Sequence, residues 1–229
     1  MHRPLQDRLH MRCQVNRESA LNRKVGLLSS SGLVIVGVTY AVVVAVGVAQ
    51  AGLAEPIVDP VLAVMEGITV VASLFVVGLF VAVYGLADHE RKPLGLIALS
   101  FAVIMAALTS AVHFVALTAG RQTGFTALEW PSTLYALELL AWDVFLGLTL
   151  LFAAAVFVGS GARAVARWSL AAAGALCLLG AIGPVIGDMA VQRIGILGYG
   201  VGLPIASLAV AQVFRREVDR ADGSRDPTA

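Results

Sequence analysis

Six long apolar stretches, separated by short polar segments, form the main pattern of hydrophobic and polar positions along the chain. The stretches are 25–50, 61–87, 94–119, 133–158, 168–186 and 194–214. A bilayer core about 30 Å thick requires about 20 apolar residues in a helix, and each stretch is close to that length. Lipid cannot satisfy the open edges of strands, so these stretches predict helices. The sequence therefore predicts an all-α fold, a polytopic bundle of six transmembrane helices.

Polar segments flank the apolar part of the chain at both ends. We expect a basic N-terminal tail over 1–24, a six-helix transmembrane domain over 25–214 and a disordered C-terminal tail over 215–229. The first apolar stretch, with Ala49-Gln50-Ala51 at its end, also imitates a signal peptide and its cleavage site. Its length of roughly 26 residues exceeds the 7–15 of a signal sequence and favours a retained helix. Cleavage would leave five helices.

The basic residues are distributed unevenly between two sets of polar segments. Of the 16 Lys and Arg residues, 14 lie in the two tails and in the second and fourth connecting segments. Only Arg121 and Arg193 lie in the other three segments. Because basic residues concentrate on the cytoplasmic side of membrane proteins, we expect both termini to be cytoplasmic. The expected location is the cell (plasma) membrane, which the chain crosses several times.

The composition supports a membrane protein and excludes other classes. Of the 229 residues, 59% are hydrophobic and only 14% are charged, whereas soluble domains carry roughly 25% charged residues. A soluble enzyme and a disordered chain are therefore excluded. A formal net charge of +1 gives no basic field for nucleic acid. The expected partners are the lipid bilayer and a lipid-soluble small molecule, with no nucleic acid, and self-association remains open.

Four strongly ionisable side chains fall well inside the predicted spans. They are Glu66, His113, Glu138 and Asp143. Counted from the outer helix ends, the first three each lie roughly 9 Å deep, and Asp143 lies roughly 16 Å deep. Such residues usually face the bundle interior or a water-filled cavity. Three helices thus place ionisable groups in one layer of the outer half, and all four residues are candidate catalytic groups.

Polar and aromatic side chains on the same helix faces extend this layer. The candidate substrate-binding residues are Thr69, Ser73, Thr109, Tyr135 and Trp142. Each is three, four or seven positions from Glu66, His113 or Glu138 and therefore lies on the same face of its helix. The aromatic faces of Tyr135 and Trp142 could stabilise a cation. The layer thus combines proton donors with groups that could hold a ligand.

Several motifs of membrane enzymes and carriers are absent from the sequence. There is no HExxH of a zincin-like protease and no Walker A loop of an ATP-driven motor. No lysine lies in a predicted span, which excludes a retinal Schiff base. The ionisable residues lack the local spacing of metal ligands. We therefore expect neither a metal nor a cofactor.

The first functional interpretation is an intramembrane enzyme that uses a general acid. A carboxyl group in a site of low dielectric can stay protonated near neutral pH, as a general acid requires. Protonation of an alkene or epoxide, followed by isomerisation or cyclisation of a lipid-soluble substrate, would suit these groups. Small membrane-bound terpene cyclases have similar size and helix content, which is an architectural analogy and not a shared motif.

Three other interpretations of the same residues stay open. Proton-coupled transporters of small molecules also use buried carboxylates, although the inner half of this chain lacks polar residues. An accessory or sensor subunit would need no chemistry. The carboxylates could also be purely structural, paired with His113 or with the inward-reaching side chains of Arg121 and Arg193.

Overall fold

The computed structural model describes residues 3–52, 57–123 and 130–223, and within these ranges the fold is all-helical. Six helices are long and apolar enough to cross a membrane. They are α1 (Arg3–Ala51), α2 (Val61–Leu86), α3 (His89–Gly120), α4 (Thr133–Ala154), α5 (Ala162–Ile186) and α6 (Met189–Glu217, whose last segment continues to Gly223). The prediction of an all-α fold with six such helices is confirmed.

The helix ends differ from the hydropathy boundaries where local backbone signals decide. The first helix already begins at Arg3, so most of the basic segment 1–24 is helical. The last helix continues to Gly223, beyond the predicted boundary at 214, and residues 224–229 lie outside the described ranges. Helix α6 begins at Met189 and not at 194, because the Asp188 carboxylate accepts a hydrogen bond from the Ala190 amide at 2.8 Å and caps the helix.

A glycine turn sets the connection between α4 and α5. Helix α4 ends at Ala154, four residues before its predicted end, and α5 begins at Ala162, six residues before its predicted start. Gly159 and Gly161 have φ angles of 108° and 65°. Only glycine adopts such values without steric cost, so these two residues reverse the chain.

Each helix packs antiparallel against its neighbour in sequence, and α6 returns to pack against α1. The Asn22 side chain donates to the Ala82 carbonyl at 3.0 Å between α1 and α2. Arg163 of α5 pairs with Glu217 of α6 at 3.0 Å. Both described chain ends therefore lie at one end of the bundle, which we call the proximal end. The opposite end, where α1 finishes and α2 begins, is the distal end.

The proximal half of the bundle contains a close-packed apolar core. Its largest fully buried side chains include Phe80, Phe157 and Phe214, and Leu79 and Leu170 are buried beside them. Buried apolar groups of this kind exclude water and carry no hydrogen-bonding demand. Glu66, His113 and Glu138 lie outside this core, in the distal half of the bundle.

Candidate functional site

Helices α2, α3 and α4 bring Glu66, His113 and Glu138 together in the distal half of the bundle. The two imidazole nitrogens of His113 face different carboxylates: Nδ1 contacts Oε2 of Glu66, and Nε2 lies 2.8 Å from Oε1 of Glu138. Glu66 and His113 are 4% and 5% exposed, and the Glu138 side chain is 14% exposed. We call these three residues the triad.

The geometry of the triad requires at least one shared proton. A neutral imidazole has one N–H donor and one acceptor nitrogen, and an ionised carboxylate can only accept. Either the imidazole is protonated and donates to both carboxylates, or one carboxyl group is protonated and donates to the imidazole. Exchange between these arrangements moves a proton from one glutamate to the other through the ring. The triad can therefore act as a proton relay.

The two ends of the triad differ in their surroundings. Glu66 is more deeply buried than Glu138. Oxygen Oε2 of Glu138 is buried and has no hydrogen-bond partner among the described residues. A buried acceptor without a partner is costly, so Glu138 is the end of the triad where a ligand or a water would complete the bonding.

Asp143 belongs to a second polar cluster, between α4 and α6. Its carboxylate is fully buried and accepts a hydrogen bond from Gln192 at 3.2 Å, and the same amide lies 3.4 Å from the Tyr199 hydroxyl. The backbone of Gly195 packs against the other oxygen, where any larger side chain would collide with the carboxylate. That oxygen has no hydrogen-bond partner in the described structure.

Irregular helical turns position both ends of this second cluster. Asp143 lies in a π-helical turn of α4, Leu140–Phe145, and Tyr199 lies in one of α6, Leu197–Gly202. In a π turn each backbone hydrogen bond spans one residue more than in an α-helix. The side chains of the turn therefore point in directions that a regular α-helix would not give them. Pro204 follows the α6 turn and cannot donate to a preceding carbonyl, which favours the irregularity there.

The aromatic candidates lie between the two clusters. The rings of Trp142 and Tyr199 contact each other with centroids 5.5 Å apart. Trp142 is buried, and its indole nitrogen has no hydrogen-bond partner among the described residues. Tyr135 interacts electrostatically with both Asp143 and Glu138. Tyr135 therefore lies near both the triad and the Asp143 cluster.

The hydroxyl candidates divide into two groups. Thr69 donates to the Met65 carbonyl at 2.9 Å, and Ser73 donates to the Val70 carbonyl at 2.8 Å. Their protons are therefore used within α2. Thr109 is fully buried one turn from His113, and its hydroxyl has no hydrogen-bond partner in the described part of the chain. Of the three, Thr109 is the one whose hydroxyl is free to donate to a ligand.

Three polar residues of the site escaped the sequence analysis. Gln192 and Tyr199 are seven positions apart and share a face of α6, but the hydropathy boundary at 194 placed Gln192 outside the helix. Tyr40 has Glu66, Glu138 and Tyr135 as electrostatic neighbours. No ionisable residue lies near Tyr40 on its own helix, so only the tertiary structure reveals it.

The distal half of α1 is largely exposed on the apolar surface of the bundle. None of residues 38–46 is buried, although Gly37 contacts Pro204 and Gly47 contacts Ile57 at either end of this segment. Tyr40 lies within the segment and is 37% exposed. The Tyr40 side chain is therefore partly accessible from the apolar surface of the bundle.

The basic residues of the distal end do not pair with the buried carboxylates. Arg121 instead forms a two-point pair with Asp59, with nitrogen–oxygen distances of 2.5 and 3.0 Å. Arg193 is exposed. Among the described residues, no group of three or more His, Cys, Asp and Glu side chains is arranged to hold a metal ion. The side chains present at the site can transfer protons and form hydrogen bonds.

Comparison with protein-family models, curated proteins and solved structures finds no significant match for this chain.

Proposed function

We propose that this protein is an intramembrane enzyme that protonates a lipid-soluble substrate with the triad and thereby isomerises or cyclises it. The observation that carries the proposal is His113, whose two nitrogens each face a carboxylate. A general acid must deliver a proton and then regain one. The triad supplies both steps, because Glu138 can donate and can be reprotonated through His113 from Glu66.

The reaction balances without a co-reactant when the substrate contains a carbon–carbon double bond. The Glu138 proton adds to one alkene carbon, and the π electron pair becomes the new C–H bond, which leaves a carbocation. A carboxylate of the triad then takes a proton from a carbon next to the cation. The electrons of that C–H bond form the double bond at its new position. The triad returns to its starting protonation, so the enzyme can turn over.

Access to the site from one side supports an enzyme more than a transporter. A transporter must open its site alternately to both sides of the membrane. Here the path toward the proximal end is filled by Phe80, Phe157 and Phe214. Tyr40 beside the triad is instead partly exposed on the lipid-facing surface, which suits a substrate that arrives from the bilayer.

The proposal includes an orientation in the membrane. We place the proximal end, and with it both termini, in the cytoplasm of a cell whose plasma membrane holds the protein. The support is the concentration of Lys and Arg residues in the tails and in the α2–α3 and α4–α5 connections. The triad then lies in the outer half of the bilayer.

The experiment compares lipid extracts of cells that express the wild-type chain, Glu138→Gln or Glu66→Gln. Gln keeps the size of Glu and much of its hydrogen bonding but has no carboxyl proton to donate. We expect mass-preserving changes in unsaturated lipids or isoprenoids with the wild type and none with either amide variant, at equal protein levels. Glu217→Gln, at the proximal end, is the matched control and should behave as the wild type.

The same variants test the transport alternative. Purified protein in liposomes loaded with a pH-sensitive dye should show no proton flux dependent on the triad if the protein is an enzyme. Proton flux that is present in the wild type and lost in Glu138→Gln would replace the enzyme by a proton-coupled transporter. Lipid profiles that are identical for the wild type and both amide variants would also overturn the enzyme.

A further inference from the structure

Four aromatic side chains from three helices lie near one another in the distal half of the bundle. Tyr40 comes from α1, Tyr135 and Trp142 come from α4, and Tyr199 comes from α6. Tyr199 has Tyr40 and Tyr135 as electrostatic neighbours and contacts the ring of Trp142 at 5.5 Å between centroids. Tyr40 in turn neighbours Tyr135. We call these four residues the aromatic set.

The aromatic set is incompletely packed. Tyr40 is 37% exposed, and Tyr135 and Tyr199 are only partly buried. Among the described residues, no hydrogen bond is made to the hydroxyl of Tyr40 or Tyr135. Trp142 is buried and Tyr199 packs against the apolar core, so Tyr40 is the member that a ligand would meet first from the lipid side.

The charges around the aromatic set are negative. Glu66 and Glu138 share His113 as their only basic partner in the described structure, so the fully ionised triad carries one net negative charge. Asp143 lies next to the same rings and has one oxygen without a partner, although its side chain is fully buried. Arg121 pairs with Asp59, so this guanidinium does not neutralise the buried carboxylates.

We infer that the aromatic set is a binding site for a lipophilic organic cation. Aromatic faces attract a cation through their quadrupole, most strongly where water is excluded, and the neighbouring carboxylates add long-range attraction. A hydrated inorganic ion would lose its water on entering from the apolar surface, whereas an alkylammonium group already carries an apolar surface. The occupant that fits is a positive charge enclosed in hydrocarbon.

This inference assigns a substrate class to the proposed enzyme and in that respect rests on the proposed function. A substrate that becomes a tertiary carbocation on protonation presents the same features as an alkylammonium ion. The aromatic set would stabilise the charge as it develops, which is the requirement for lowering the barrier. A stable ammonium compound should therefore bind as an analogue of the charged intermediate.

The test uses benzyltrimethylammonium and its uncharged isostere neopentylbenzene, in which carbon replaces nitrogen. The full chain is placed in lipid nanodiscs as the double variant Trp130→Phe, Trp168→Phe. Since the protein has three Trp residues, Trp142 is then the one fluorophore of its kind. We expect saturable quenching of Trp142 by the cation, with at least tenfold weaker binding of the neutral compound.

Substitutions separate the ring face from the hydroxyl group. Tyr199→Leu or Tyr40→Leu should weaken binding of the cation between about two- and thirtyfold, the range expected for one cation–π contact. Tyr199→Phe and Tyr40→Phe keep the ring and should bind as the wild type. Tyr84→Leu is the control, because the Tyr84 ring lies against Lys92 at the proximal end.

Two results would overturn the inference: equal binding of the neutral isostere, or Leu variants of Tyr40 and Tyr199 that bind as well as Tyr84→Leu. Because binding is measured without turnover, the outcome is independent of the lipid-profile experiment. Cation binding with unaltered lipid profiles would refute only the proposed enzymatic activity. Altered lipid profiles without cation binding would refute only the assignment of the aromatic set as a cation site.

Discussion

Replacing Glu66 by Leu tests how much the triad contributes to folding. The change removes the hydrogen bond to Nδ1 of His113 and leaves that buried nitrogen without a partner. A side-chain hydrogen bond between membrane helices contributes about 0.6 kcal/mol on average and at most about 1.7. A buried polar atom left unpaired costs a further 1–3 kcal/mol or so. We therefore expect the free energy of unfolding to fall by about 2–5 kcal/mol.

The conservative substitution Glu66→Gln should lower the free energy of unfolding by less than about 1 kcal/mol. An amide can still donate to, or accept from, a neutral imidazole, so one hydrogen bond between α2 and α3 survives. The measurement is loss of helical circular dichroism as SDS is added to the protein in mixed micelles. Glu138→Leu should cost less than Glu66→Leu, because the Glu138 side chain is more exposed, 14% against 5%.

The matched control is Glu217→Leu, which removes an ion pair with Arg163 at the proximal end. Both side chains of that pair are more than 20% exposed, and exposed pairs contribute only about 0–1 kcal/mol. If Glu66→Leu unfolds at the same SDS fraction as Glu217→Leu, the Glu66–His113 contact does not stabilise the fold. If Glu66→Gln is as unstable as Glu66→Leu, the side-chain amide does not keep the hydrogen bond to His113 that we expect.

Two further predictions concern packing and topology. Gly198→Ala should destabilise the protein by about 1–3 kcal/mol, because the new methyl would lie 2.7 Å from the Cys177 backbone nitrogen and 2.8 Å from the Ala173 carbonyl. Gly200→Ala, in the same π turn, would meet nothing closer than 3.7 Å and should leave the SDS midpoint nearly unchanged; equal midpoints for the two variants would refute the close α5–α6 contact. Reporter fusions at Ala229 and in the segment 52–60 should report opposite sides of the membrane, with Ala229 cytoplasmic, and an external C-terminus would reverse the proposed orientation.

Hydropathy alone was sufficient to predict the six helices, because a helix that crosses the bilayer needs a long apolar stretch of sequence. The convergence of α2, α3 and α4 could also be predicted from the sequence. Glu66, His113 and Glu138 have matched depths, and charged groups at one depth avoid lipid most readily by meeting each other. The sequence could not specify that His113 lies between the two carboxylates, because this depends on the rotation of each helix.

A helical wheel for a regular α-helix could not predict the contacts of the Asp143 cluster. Asp143 is displaced about 140° from Glu138 on an ideal helix, which suggested a separate face without naming a partner. Its contact with Gln192 depends on π turns in two helices and on a helix start that Asp188 defines. Tyr40 depends on α1 packing beside α6, which no local pattern encodes. The sequence therefore identified Asp143 itself but missed its partners Gln192 and Tyr199, and it missed Tyr40.

The stability of the fold does not explain why the triad is present. Replacing all members of a buried ionic group by well-packed apolar residues is often neutral or stabilising, whereas removing one member is costly. The proximal half of this bundle demonstrates the apolar solution, with Phe80, Phe157 and Phe214 filling its interior. The distal half retains the three ionisable residues of the triad and a buried aspartate, each of which lowers stability relative to that solution. Such local departures from good packing are expected where a protein must bind a ligand or transfer a proton, and this reasoning connects the triad with function.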